Sequence, residues 1–88
     1  MVVEGGKKVS RELVHDIVMK MSALASEVRL YPRRLLGDAD LVYSLGKCFE
    51  AGALIVRCYV EGECLEDLEE CVRDFNVGYK LLMEALER

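Results

Sequence analysis

Residues 58–71 read CYVEGECLEDLEEC and hold three of the chain's four cysteines together with six acidic side chains. Such a stretch can be a metal site, a disulfide staple, or the turn of a helical hairpin whose thiols serve as small apolar fillers. The spacing favours the hairpin. Cys64 and Cys71 are two helical turns apart, about 10 Å along an axis, too far to bridge one another. They lack the tight Cys-x-x-Cys spacing of zinc sites, and the sole histidine, His15, belongs to another segment. An EF-hand would need alternating oxygen ligands around a glycine in a loop, whereas this pattern is helical. No metal and no cofactor is therefore expected. A Cys58–Cys64 disulfide, or a bridge between subunits, is the alternative use of the thiols.

Gly62 falls where a helix C-cap glycine belongs. A helix is expected to follow it directly, with Glu63, Glu66 and Asp67 in its first turn, where the positive end of the helix dipole favours carboxylates. Its apolar stripe is Leu65, Leu68, Val72, Phe75, Tyr79, Leu82 and Leu86, a heptad seam. Beside the seam run Cys64, Cys71, Gly78 and Ala85, small residues that let a neighbouring helix come close.

Before Gly62, residues from about Ala39 to Glu61 predict a helix opened by Asp38. From Phe49 onward its apolar residues surround nearly the whole circumference, so it is expected to be buried on more than one side. That is the sequence's best argument for self-association. Gly46 and Gly52 inside this helix suggest close backbone approaches. Further upstream, Ser10 is placed to cap a helix with apolar positions Leu13, Val14, Ile17, Val18, Met21, Leu24, Ala25 and Val28. Pro32 should end it near Leu30 and open a short turn to Gly37.

The totals set limits on function. Eighty-eight residues fit one domain with a small core, so every apolar stripe needs a partner. Residues 1–8 are read as a flexible tail and 9–88 as a single helical domain. The amino-terminal MVVEGGKK has no apolar core, so no secretory leader is expected, and the longest apolar run is too short for a membrane span. A cytoplasmic protein with reduced cysteines is expected, and the absence of Gln is a thermophile-like trait. Net charge is −4, divided as +3 over residues 1–34 and −7 over 35–88. The basic half, through Lys7, Lys8, Arg11, Lys20, Arg29, Arg33 and Arg34, is where anions or nucleic acid would be held. The acidic whole, with no exposed aromatic platform evident, argues against nucleic acid as the partner.

Tyr59-Val60-Glu61-Gly62-Glu63, followed by Leu65, Leu68 and Glu69, resembles the hairpin of a small archaeal helical domain family of unassigned function. That resemblance covers about the last thirty residues and implies a fold without an activity. The long first helix, with Arg11 and Arg29 near its ends and Arg33, Arg34 and Lys47 after it, resembles helical chorismate mutases. Those enzymes hold a dicarboxylate with Arg and Lys, although this chain lacks the Gln they often use. Arg11 and His15 also resemble the Arg–His pair of helical RNA-cleaving domains of the higher-eukaryote and prokaryote nucleotide-binding type. No serine or thiol is placed as a nucleophile beside His15, and no Gly-rich phosphate loop occurs.

The expected fold is all-α: an antiparallel three-helix bundle with a short extra helical segment near 32–37, assembling as a helical dimer. The expected function is a protein-interaction or oligomerisation domain without a catalytic site. Its alternatives are a small chorismate-mutase-like enzyme or an RNA/DNA-binding domain using Arg11, Arg29, Arg33 and Arg34. The residues expected at the interface are Phe49, Leu54, Ile55, Tyr59, Leu65, Phe75 and Tyr79. A second copy of the chain is the expected partner, with another protein as the other option and no membrane.

Overall fold

The computed structural model describes residues 7–87, with the backbone alone at Lys7. Within them the chain is all-helical apart from one two-residue bridge. In order the elements are β1 (Lys7–Lys8), α1 (Arg11–Leu30), α2 (Pro32–Leu36), α3 (Ala39–Glu61), β2 (Cys64–Leu65) and α4 (Leu68–Glu87). The expected tail over residues 1–8 lies outside the described residues as far as residue 6.

Each boundary has a local cause. The Ser10 hydroxyl accepts the Leu13 N–H at 3.1 Å and starts α1. Tyr31 stands before Pro32 and leaves helical geometry, with φ −129° and ψ 55°. Pro32 then opens α2, where its missing N–H is no loss. The Asp38 carboxylate accepts the N–H groups of Asp40 and Leu41 at 3.0 and 3.3 Å and opens α3. Gly62 closes α3 in the left-handed region, φ 70° and ψ 22°. Its N–H donates to Tyr59 and that of Glu63 to Cys58, at 3.2 and 2.9 Å, the two bonds of a Schellman cap.

The last helix begins later than the sequence predicts. Residues 64–65 are extended and pair antiparallel with 7–8, Lys7 opposite Leu65 and Lys8 opposite Cys64. Glu69 and Glu70 therefore occupy the first turn of α4, while Glu63, Glu66 and Asp67 precede it. Leu65 and Cys64 drop out of the helical stripes. Pairing with a distant segment has overridden the local preference for helix, which a reading of neighbours along the chain does not register.

Ile17, Leu24, Ile55, Phe75, Leu82 and Leu86 are fully buried and form the centre of the core. Small residues draw α3 against α4: a Cβ at Gly78 would lie 3.3 Å from the Cβ of Cys48. At Gly52 the approach is closer and involves three helices, with a Cβ meeting Met21 Sδ at 2.8 Å and Phe75 Cε1 at 2.9 Å. Gly46 corrects the expectation of a second close approach, since a Cβ there meets nothing within 4 Å. The thiols are all free. Cys48 and Cys58 are buried and Cys71 is half-buried, as small fillers should be, but Cys64 is exposed on the bridge and no Cys58–Cys64 disulfide forms.

Two polar ties fix α4 to the rest. Lys20 of α1 donates to Asn76 Oδ1 at 2.8 Å, pairs with Asp16 at 3.0 Å, and lies 5.7 Å from the Tyr79 ring centre. Arg34 of α2 donates to the Leu86 carbonyl at 2.6 Å and stacks over Tyr31. Among the described residues no helix is long and apolar enough to cross a membrane.

Candidate functional site

The residues the sequence picks for an interface divide between core and surface. Ile55 and Phe75 have no accessible surface, so neither can meet a partner directly. Phe49, Leu65 and Tyr79 are half-buried, and Tyr79 is engaged internally, stacked on Phe75 with centroids 6.4 Å apart. Leu54 and Tyr59 alone of the set are exposed.

A different set forms a continuous face. On α3 the inward stripe is Leu41, Leu45, Cys48, Gly52, Ile55 and Cys58. A second stripe, Val42, Gly46, Phe49, Ala53, Val56 and Val60, is spaced four, three, four, three, four and carries no charge. Its members fall within an arc of about 80° on the helix surface. Val60 is 74% exposed and Val42 45%; Gly46 and Ala53 are also exposed, with Phe49 and Val56 half-buried between them. On α1 the same spacing recurs in Val14, Val18, Met21, Ala25 and Val28, of which Val18 is 45% exposed.

These two stripes border an open apolar groove of about 650 Å³, lined by Val18, Met21, Ala53, Val56 and Val60, with Arg57 and Glu61 at its rim. Sequence reasoning registers that α3 is apolar on more than one side but does not separate the two stripes. The signal is present all the same. Once Leu41, Leu45, Cys48, Gly52 and Ile55 are assigned inward, the remaining four-three repeat is the only apolar series left on that helix.

The basic residues do not converge. Arg11 and Arg29 are eighteen positions apart on α1, about 27 Å. Arg11 does share a shallow surface pocket with Glu12 and His15. Arg29 and Arg33 are exposed at the other end of α1, and Arg34 is committed to the Leu86 carbonyl and the Tyr31 ring.

A second groove, between α3 and α4, has Tyr43, Lys47, Leu54, Arg73 and Asp74 along it and reaches Cys48 and Cys71. The Cys48 thiol donates to the Phe75 carbonyl at 3.5 Å, and that of Cys71 to the Ala51 carbonyl at 3.8 Å. Burial pushes the Cys48 thiol above its ordinary value of 9.0. The Cys71 thiol is pushed up as well, by burial first and then by Asp74, Cys58, Asp67 and Glu70. Both are held protonated, as hydrogen-bond donors rather than nucleophiles. Among the described residues no group of His, Cys, Asp and Glu is arranged to hold a metal ion. No family model, no curated protein and no solved structure matches the chain.

Proposed function

We propose that the chain is a small helical interaction module with no reaction of its own: an antiparallel three-helix bundle that self-associates through the face shared by α1 and α3. The observation that carries this reading is the uncharged second stripe of α3. A surface helix in a monomer places charge on the side away from its core. Here the side chains of Val42, Val60 and Val18 are left to water across two adjacent helices, and covering one valine fully is worth about 1.5–3 kcal/mol.

The test is solution mass measured by light scattering over a range of concentrations, with reductant present. A dimer is expected. Val60→Lys and Val18→Glu alter exposed side chains, so both should keep native helix content by circular dichroism and yield monomer. Ile55→Asp is a different kind of change: it places a carboxylate in the core and should unfold the chain. An unmodified chain that stays monomeric at every concentration, or a Val60→Lys variant that stays dimeric, sinks the proposal.

A further inference from the structure

We infer that the second copy packs its α3 antiparallel to α3 in one register, fixed by Glu50 of each copy meeting Arg57 of the other; this rests on the dimer reading above. In a helix seam spaced four and three, the residues just beside the seam choose partner and orientation through their charges. Along the outer side of this seam those positions are Tyr43, Glu50 and Arg57. Along the inner side they are Leu45, Gly52 and Tyr59, which carry no charge. Two opposite charges, seven residues apart, therefore decide how two copies fit.

Three registers keep four or more seam residues of each copy in contact. In one, Ala53 faces Val56 of the second copy and Phe49 faces its Val60, so small meets large in each layer. Glu50 then lies about 3 Å along the axis from the level of the second copy's Arg57, within reach, and the two-fold symmetry makes that pair twice. Shifting by one heptad brings Val42 opposite Val60 and Gly46 opposite Val56. That shift also sets Glu50 against Glu50 of the second copy, a like-charge contact that weighs against the register. A further heptad, with Val42 opposite Ala53 and Gly46 opposite Phe49, sets Glu50 against Tyr43 and makes no ion pair. Within one chain, Glu50 is 3.4 Å from Lys47 and Arg57 is 3.6 Å from Glu61. Both pairs are exposed and held weakly, so neither prevents Glu50 and Arg57 from turning to a second copy.

Charge reversal separates the register from the dimer. Glu50→Arg and Arg57→Glu are made singly and together, and self-association is measured by sedimentation equilibrium at low salt. Each single variant, bearing two like-charge contacts as a homodimer, should bind itself about tenfold more weakly than the unmodified chain. An equimolar mixture of the two should recover the unmodified strength, because positions 50 and 57 then carry opposite charges across both contacts of the mixed dimer. The double variant should recover it too. If the unmodified chain dimerises but the single variants match it, or the mixture stays as weak as its components, the register is overturned and the dimer stands. If the unmodified chain is a monomer throughout, the dimer falls and the register with it.

Discussion

Gly52 and Gly46 are the same residue type six positions apart on α3, yet the packing gives them opposite roles. At Gly52 an added methyl meets Met21 and Phe75 below 3.0 Å, so Gly52→Ala should lose about 1–3 kcal/mol to overpacking, partly offset by roughly 1 kcal/mol of helix propensity. At Gly46 only the propensity gain remains, and Gly46→Ala should stabilise by up to about 1 kcal/mol. Urea unfolding midpoints that move in opposite directions would bear this out. The thiols make a second contrast. Because the folded chain holds the protons of Cys48 and Cys71 more tightly than the unfolded chain does, their contribution to stability is intact below pH 9.0. It is lost as pH rises above 9.0 through their raised values. A Cys48→Ala/Cys71→Ala variant should show a shallower alkaline decline in urea midpoint than the parent chain.

At the scale of elements, the five residues of α2 act as a clasp between the end of α1 and the end of α4. The Arg34 guanidinium satisfies a carbonyl in the last turn of α4, where the helix has no partner of its own and the dipole favours a cation. Arg34→Ala should therefore cost about 1–2 kcal/mol, and hydrogen exchange should show the last turn of α4 fraying first. The extents of α1 and α3 were legible in the sequence because Ser10, Pro32, Asp38 and Gly62 act on the backbone within a few residues of themselves. The start of α4 was not. Leu65 and Cys64 are held by Lys7 and Lys8, and no property of the stretch itself declares a partner so far upstream. Arg34 escapes a sequence reading for a related reason: an arginine in a turn looks free for an anion until the carbonyl it serves is in view.

Over the whole molecule, apolar content indicated that α3 had more than one neighbour, but composition cannot say which valine faces which way. Ile55 and Val56 are adjacent and alike in sequence; a turn of about 100° puts one in the core and the other beside the open groove. Lys20 ties the basic half to the acidic half through the neutral groups of Asn76 and Tyr79, while its ion pair is with Asp16 of its own half. The bridge of β1 to β2 and the clasp of Arg34 on Leu86 lie at opposite ends of α4. Lys7 lies beside Leu65 at the start of α4, and Leu86 stands at its far end, about 30 Å away. A reporter on Lys8 would consequently sit about a full helix length from a reporter on Glu87.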